Sequence, residues 1–508
     1  MTDPMPGLQP GDGSLTDLTF RSVAWTALDT GSQILLKILA ILVLARLLKP
    51  QDFGLVNAAL VVIGFSAIFS QCGIGLALIQ RKELRREHVE TAFSFTVLAG
   101  AAFAAGVYIF RGPLAGFFKM EGLPPVIGWL SLLLFMNGLA SVPDALLQRS
   151  LRFRTLAMVH VSSIFFGYGL CGIGGALAGW GMRALILAEA AQAGLRVLLL
   201  LLIQPHARAF RMEGRAFREL FRFGGGMTLV SLPNYIAQQG DYFVTGRWLG
   251  AGDLGLYSRA YQFMVLPATF FAGAAEKVLF PTMSRVQEES TRLSIAYRRG
   301  EALLAILALP GSVIASILAP ELIQVLLGPG WSGAVVPFRI LALGMFFRMA
   351  YKLGYTVARA KGDVYGIFWR QVVYAILVVG GALWGQRYGL AGVAWAVLIA
   401  LAGQFFLSMQ QAVRLANIRW SDATVPLLPA LMLAVLCGGL AWIVASPCRG
   451  ANLAAVWVVL ISAGVATGAA GLLALARPTW VLGEEGLWWK AVLTSYIHTL
   501  RGRNSPKP

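Results

Sequence analysis

The chain has little charge for its length. Of its 508 residues only 13% are Asp, Glu, Lys or Arg, whereas 57% are hydrophobic, and the mean hydropathy is +0.69. That leaves too little polar surface to enclose the chain as soluble domains. Its apolar runs of roughly 20 residues, separated by short loops, are typical of α-helical membrane spans and exclude the alternating ten-residue pattern of an outer-membrane barrel. We therefore predict an all-α polytopic membrane protein.

Cysteine and histidine are also scarce, with four residues of each type. No two cysteines form a C-x-x-C pair, so neither a disulfide framework nor a zinc site is indicated. The histidines are scattered without metal-ligand spacing. We expect no metal and no cofactor.

Acidic residues are fewer than basic ones, 24 against 42, which gives a formal charge of +18. The basic residues lie in short loops between spans, where positive charge sets membrane topology, so a nucleic-acid partner is not expected. Alternate loops hold about twenty and about eight basic residues, and we assign the richer set to the cytosol. The polar start of the chain lacks a basic region followed by an apolar core, which predicts a cytosolic tail and not a cleaved signal peptide. Both termini are predicted to be cytosolic.

Windows of roughly 20 apolar residues predict about fourteen transmembrane helices. They divide the chain into six predicted segments: a cytosolic N-terminal tail (1–21), a first lobe of six spans (22–204), a basic cytosolic linker (205–222), a second lobe of six spans (223–413), an appended helical hairpin (424–476) and a cytosolic C-terminal tail (477–508).

One stretch occurs twice, in 33–55 and in 234–256. The shared pattern is R-x-L-x-x-x-D-x-G-L, and one offset of 201 positions relates Arg46 to Arg247, Asp52 to Asp253 and Gly54 to Gly255. It predicts two equivalent halves, parallel repeats about an axis along the membrane normal, each opening with a helical hairpin. The glycines are expected to close tight turns and the aspartates to cap the following helices. A cleft between the halves is the default site.

The residues around the second copy carry a resemblance. Gly246-Arg247-Trp248-Leu249-Gly250, then Asp253-Leu254-Gly255-Leu256-Tyr257-Ser258, resemble the central signature of Wzx-type polysaccharide flippases. These flippases are members of the MOP (multidrug/oligosaccharidyl-lipid/polysaccharide) transporter superfamily, and the resemblance covers roughly residues 20–420. It implies two six-helix lobes around a central cavity.

The resemblance also implies a function. The substrate would be an oligosaccharide on a polyprenyl pyrophosphate, moved by alternating access from the cytosolic to the periplasmic leaflet for exopolysaccharide, capsule or O-antigen synthesis. The protein would then be a transporter and not an enzyme, in the bacterial inner membrane. Its partners would be the lipid-linked glycan, membrane lipids and, by contact, the polysaccharide polymerase or export machinery.

Polar side chains inside spans are candidate site residues, because each is costly in hydrocarbon unless it faces a cavity or a partner. Those at helical spacing in three spans are the coupling candidates Asp29, Gln33, Glu189, Asn234, Gln238 and Asp241, together with the cations Lys37 and Arg196. Asp29 and Lys37 are eight positions apart, about 12 Å along a helix, so they are not expected to pair.

The tenth span carries the cations of greatest interest. Arg348 and Lys352 are spaced i and i+4 near its middle, where like charges repel unless an anion is present, and Arg339 lies nearer the periplasmic end. A pyrophosphate is such an anion. The alternative is that Glu189, Asp241 or Asp29 neutralises these cations for structure alone. Asp144, Lys277 and Arg370 lie near the cytosolic ends of spans and are predicted to snorkel or cap there.

Two other classes of function remain open. An ion-coupled drug exporter shares the superfamily fold, but a cationic drug would favour an acidic cavity over one with these cations. A membrane glycan polymerase or ligase would need a sizeable periplasmic loop with catalytic groups, and the outer loops here are short.

Overall fold

The computed structural model describes residues 15–205, 209–274, 279, 283–284, 286–479, 483, 485 and 487. The described chain is helical and contains no strand. Residues 15–21, predicted as tail, are the first turns of a helix. Residues 1–14, most of the predicted C-terminal tail and Lys277 lie outside the described residues.

Eleven helical segments of the described chain are long and apolar enough to cross a membrane. One of them, Val364–Leu415, contains two helices joined by a short 3₁₀ turn. The 61-residue helix Gly214–Ala274 is not among the eleven, and it bends at Gly250, so it supplies two further segments. The extra helix brings the apolar segments of the described chain to twelve, and the two segments of Gly214–Ala274 lie where the hydropathy windows predict two more of the about fourteen spans.

The chain divides into two compact units, residues 1–258 and 259–508. The helix Gly214–Ala274 contributes its first part to unit 1 and its last part to unit 2. The division into six-helix lobes separated at the linker 205–222 stays a prediction.

The described residues of unit 1 form eleven α-helices and one π-helical segment. In chain order they are α1 (Leu15–Leu47), α2 (Pro50–Gln71), α3 (Ile74–Gln80), α4 (Arg86–Ile109), α5 (Arg111–Phe118), α6 (Leu123–Leu130), α7 (Leu132–Arg149), α8 (Phe153–Ile164), the π-helix Phe165–Gly172, α9 (Ile173–Leu177), α10 (Met182–Ile203) and α11 (Gly214–Ala274). Helix α4 packs along α7, α1 along α8, and α10 along both α7 and the π-helix.

The second span is broken inside unit 1. Cys72 and Gly73 both have left-handed backbone angles, with φ of 45° and 60°, and they separate α2 from α3. Helix α11 crosses this break at Gly224, where a Cβ would overlap the carbonyl oxygen of Cys72. Glycine is therefore required at 224 by the close approach of two backbones.

The two copies of the repeated turn pack against each other within unit 1. A Cβ on Gly54 would overlap the carbonyl oxygen of Ala251, and a Cβ on Gly255 would overlap that of Pro50. Pro50 and Ala251 are themselves 201 positions apart, so the contact is reciprocal, as in a two-fold interface. Asn57 also donates a 2.8 Å hydrogen bond to Ser258, again across 201 positions.

The capping prediction holds for one of the two aspartates. Asp52 accepts a 3.0 Å hydrogen bond from the backbone N–H of Lys49, the residue that precedes α2. Asp253 makes no such bond with the part of the chain described, and burial raises the pKa of its carboxyl group. The cap prediction is therefore wrong for Asp253, whose turn is instead formed by Gly250 at φ 90°.

The described residues of unit 2 continue with nine α-helices. They are α12 (Ser290–Ile317), α13 (Ala319–Leu326), α14 (Val335–Leu343), α15 (Met345–Ala360), α16 (Val364–Gly385), α17 (Gly389–Leu415), α18 (Trp420–Thr424), α19 (Leu427–Gly450) and α20 (Ala455–Ala476). The predicted hairpin, α19 and α20, packs on α12, and Arg449 forms a bidentate ion pair with Glu321 of α13 at 2.6 and 3.0 Å. The hairpin is thus an integral part of unit 2.

Glu219 holds the start of α11 against the loop before α4. Its carboxylate pairs with Arg81 and lies 3.1 Å from His88 Nε2 and 3.2 Å from Arg215 Nε. The hydrogen bond with His88 is the largest influence on the pKa of Glu219, burial opposes it, and Arg215 and Arg81 lower the pKa further, so that it falls from 4.5 to about 2. The three contacts connect the linker region to the rest of unit 1.

We expect Glu219→Gln to lower the thermal unfolding midpoint by roughly 2 °C at pH 7. Because the folded-state pKa lies below that of the unfolded chain, the carboxylate stabilises the fold above about pH 4.5, and this contribution disappears as the pH falls towards 2. The difference from wild type should be equal at pH 7 and pH 5 and shrink below pH 4.5. Glu83→Gln, on an exposed carboxylate in the same loop, is the control. An undiminished difference at pH 3 contradicts the charge-based explanation.

Candidate functional site

Two polar clusters lie inside unit 1, and the first joins α1 to α8. Gln33 Nε2 donates to Asp29 Oδ1 at 2.7 Å, and His160 Nδ1 lies 3.2 Å from both Asp29 Oδ2 and Gln33 Nε2. The polar stripe predicted on the first span therefore faces a neighbouring helix. His160, which its chain position alone did not single out, completes the cluster.

The same cluster extends to α7 and α10 through Asp144. This side chain is buried, pairs with Arg196, accepts a 2.9 Å hydrogen bond from Gln148 and lies 4.0 Å from His160 Nε2. The prediction that Asp144 snorkels or caps near the cytosolic end of its span is wrong. Burial of a carboxylate requires a partner of opposite charge, and the structure supplies Arg196 from another helix.

Lys37 belongs to the second cluster. Its Nζ lies 4.0 Å from Glu189 Oε1 and 4.9 Å from the centre of the Tyr168 ring, and the Tyr168 hydroxyl donates to the same carboxylate. Lys37 and Asp29 therefore have different partners, as their spacing predicted. The Lys37 side chain keeps 40% of its surface exposed, so it can still meet a ligand.

A cavity of about 450 Å³ lies beside the Asp144–Arg196 pair, between α2, α3, α7, α10 and α11. The polar residues that line it are Gln71, Asn137, Ser141, Asp144, Gln148, Arg196, Thr228 and Ser231. Four of them lie on α7 at spacings of four, three and four residues, which places them on one helical face. That spacing was a signal for a polar stripe in the fourth span, and it was not recognised in the sequence.

The candidates of the seventh span separate in the structure. Gln238 donates to Asn234 Oδ1 at 3.0 Å, and Asn234 is exposed. Asp241 is buried instead, with 1% of its surface exposed, and accepts a 2.8 Å hydrogen bond from the hydroxyl of Tyr257. This bond connects the two segments of α11 on either side of Gly250, which is a structural role.

Unit 2 holds the cations of the tenth span. Arg348 on α15 is 5% exposed, donates to the Tyr374 hydroxyl at 3.2 Å, and its guanidinium carbon lies 5.9 Å from the ring centres of Tyr261 and Tyr351. Lys352, one turn further along α15, is half-buried, and its Nζ lies 3.5 Å from the backbone carbonyl of Ala268. The two cations share one helix, as predicted.

The remaining candidate cation is set apart from these two. Arg339 lies on α14, which Gly344 separates from α15, and its side chain is exposed. Within the described residues no group of three or more His, Cys, Asp or Glu side chains is arranged to hold a metal ion.

Comparison with known proteins gives a consistent picture. The sequence profile of a family described as polysaccharide biosynthesis protein matches residues 43–336. The chain is 28% identical to the succinoglycan biosynthesis transport protein ExoT of Rhizobium meliloti over 371 residues, which are 73% of this chain and 74% of that protein. It is 25% identical to the lipopolysaccharide biosynthesis protein WzxC of Escherichia coli over 382 residues, 73% of this chain and 77% of that protein.

Solved structures of similar fold include transporters. The lipid II flippase MurJ in an inward closed conformation matches with a TM-score of 0.69 and 13% identity, over 87% of this chain and 98% of that one. An inward-facing multidrug resistance transporter of the MATE family, in the MOP superfamily, matches with a TM-score of 0.61 and 15% identity, over 76% and 96% of the two chains. These likenesses confirm the predicted fold class.

Proposed function

The chain belongs to the polysaccharide biosynthesis protein family, and we propose that it flips a polyprenyl-pyrophosphate-linked oligosaccharide from the cytosolic to the periplasmic leaflet of the bacterial inner membrane. One observation carries the proposal: Arg348 and Lys352 lie one turn apart on a helix of a segment, Pro329–Ala360, that is long and apolar enough to cross a membrane. A fixed cation in hydrocarbon costs about 2.5–3.5 kcal/mol on insertion scales, so two on one helix need a compensating function. The relatives' names, a succinoglycan transport protein and a lipid II flippase among them, support the same class of substrate.

Burial assigns the two cations different roles. Lys352 is half-buried and is the side chain that contacts the pyrophosphate, which carries negative charge that hydrocarbon cannot solvate. Arg348 is buried in the core of unit 2. It contributes positive electrostatic potential and holds α15 in position. In unit 1 the candidate cations Lys37 and Arg196 each have a carboxylate partner, Glu189 and Asp144 respectively, so their charges are already compensated within that unit.

Transport requires the substrate path to open alternately to each side of the membrane. The two repeated turns pack reciprocally through Gly54 and Gly255. A transport cycle can make or break this contact in a single step. Discrete packed contacts of this kind are the usual two-state elements of transporters and switches.

The direct experiment removes the gene and follows the lipid-linked glycan. We expect cells without the protein to stop exporting the polysaccharide and to accumulate the lipid-linked precursor on the cytosolic leaflet, where a membrane-impermeant glycan-modifying enzyme added to spheroplasts does not reach it. Restoring the gene should return both measurements to normal. Export that continues unchanged without the protein, in a strain with no second transporter of this family, refutes the proposal.

The proposed orientation has its own test. Because basic residues concentrate in one set of loops, we place both termini and the linker 205–222 in the cytosol and the turn that contains Gln51 in the periplasm. We expect a cysteine at Gln51 to react with an impermeant maleimide in intact cells, and one at Arg215 to react only after permeabilisation. Replacement of the four native cysteines supplies the background. Labelling of both positions from outside reverses the assignment.

A further inference from the structure

The cavity beside the Asp144–Arg196 pair contains polar groups that the fold leaves unused. The amides of Gln71 and Asn137 and the hydroxyl of Ser141 line it, and none of the three forms a hydrogen bond with any residue described in the structure. Half-buried amides and hydroxyls are normally paired, and their partners are protein, water or ligand. Three such groups, from α2 and α7, therefore mark a place where a hydrogen-bonding ligand fits.

The charges of the cavity exclude an ionic ligand. Asp144 and Arg196 are its two charged lining residues, and they pair with each other, so the lining as described has no net charge. A pyrophosphate would therefore gain no net electrostatic attraction in this cavity, whereas Lys352 provides such attraction. A cationic ligand would have to break the same pair.

The remaining groups match a ligand that both donates and accepts hydrogen bonds. The hydroxyls of Thr228 and Ser231 donate to carbonyl oxygens of their own helix, at 3.0 and 2.9 Å, so their oxygen lone pairs remain as acceptors. Gln148 donates to Asp144 and keeps its amide oxygen as an acceptor. Amides of Gln71 and Asn137 offer both kinds of group. Sugar hydroxyls are donors and acceptors at once, and a hydrocarbon chain is neither.

The size of the cavity limits the ligand. A volume of about 450 Å³ lies within the range of about 300–1,000 Å³ typical of small-molecule sites, which accommodates one or two sugar units and not a long oligosaccharide. None of the described lining residues is aromatic. Recognition therefore depends on hydrogen bonds to the edges of a sugar and not on stacking against its face.

We propose that this cavity is a saccharide subsite, which binds one or two neutral sugar units of the lipid-linked glycan through Gln71, Asn137 and Ser141. The inference rests on the proposed function. It adds that side chains of unit 1 recognise the sugar, and that these side chains are distinct from the cations proposed to bind the pyrophosphate.

The test compares two lipids on the purified protein in nanodiscs. One is the lipid-linked glycan extracted from cells that lack the protein, and the other is the corresponding polyprenyl pyrophosphate without sugar. We expect the wild type to bind the glycosylated lipid at least tenfold more tightly. The Asn137→Ala/Ser141→Ala variant should bind it about 25-fold more weakly than wild type and bind the bare lipid equally well, since each lost hydrogen bond to a neutral ligand accounts for about a fivefold change.

Two further variants make the result decisive. Gln71→Ala, on α2, should weaken binding of the glycosylated lipid about fivefold, and it decides the question if the double variant does not fold. Ser66→Ala is the control, because Ser66 lies on the same helix α2, bonds the Val62 carbonyl and does not line the cavity. Unchanged preference for the glycosylated lipid in both Gln71→Ala and the double variant overturns the subsite, as does a wild type that binds both lipids equally. A wild type that binds neither lipid overturns the proposed function itself.

Discussion

Replacing Lys352 with Gln is expected to abolish export of the glycan while the protein remains in the membrane at its normal level. The substitution removes the costly charge and keeps a side chain of similar length, so insertion and folding should not suffer. Transport should fail because no group of comparable position then compensates the pyrophosphate. The measurement is cell-surface polysaccharide together with the lipid-linked precursor, which should accumulate on the cytosolic leaflet, and the loss should be at least tenfold.

Arg348→Gln should act in the same direction with a second effect. Because Arg348 is buried, bonds Tyr374 and lies near two further rings, its loss should also lower the free energy of unfolding by about 1–3 kcal/mol. Arg387→Gln, on an exposed arginine between α16 and α17, is the matched control and should export normally. Normal export by an Arg348→Gln/Lys352→Gln variant shows that both cations are structural, and the substrate path then lies elsewhere.

A single methyl group at Gly255 is expected to disrupt unit 1. Its Cβ would overlap the carbonyl oxygen of Pro50, and a backbone cannot step aside as a flexible side chain does. Overpacking of this kind costs about 1–3 kcal/mol or more, since the two hairpins must move apart. We expect Gly255→Ala to reduce the amount of folded protein several-fold and to lower its unfolding midpoint, both measured on fluorescence-detected size-exclusion traces after heating.

The reciprocal contact gives this prediction a sharper form. Gly54→Ala should have a similar effect, and the double variant should be much less destabilised than the sum of the two, because hairpins already separated by one methyl group accept the second. Gly252→Ala is the control: a Cβ there meets no atom within 4 Å, and alanine is the better helix former. Fully additive losses at positions 54 and 255 mean that the two glycines do not share one contact.

The repeated turn shows how much local sequence can predict. The 201-residue offset predicted two equivalent hairpins, and the structure bears this out, with Asn57 bonded to Ser258 at that same offset. The sequence did not reveal that the two turns touch. The sequence pattern assigned Gly54 and Gly255 to tight turns. In the structure, glycine is needed at both positions because another backbone passes too close for a Cβ.

The polar residues of the spans show what local sequence cannot predict. The i and i+4 spacing of Arg348 and Lys352 predicts one helical face, because it depends on helix geometry alone. The cluster of Asp29, His160 and Asp144 joins three helices over more than a hundred positions. No local pattern specifies which faces of three helices meet, so Asp144 was misassigned and His160 was passed over.

By itself, the sequence determined a helical membrane protein of about fourteen spans, its internal repeat and the helix that carries the central cations. The physical reason is that hydrocarbon requires each backbone to satisfy its own hydrogen bonds, so length and apolarity suffice to predict a span. Only the tertiary structure decided which polar groups are paired, which face a cavity and where two backbones touch. Those outcomes depend on the rotation and close packing of helices distant in the chain, and neither is encoded in the composition or periodicity of any one span.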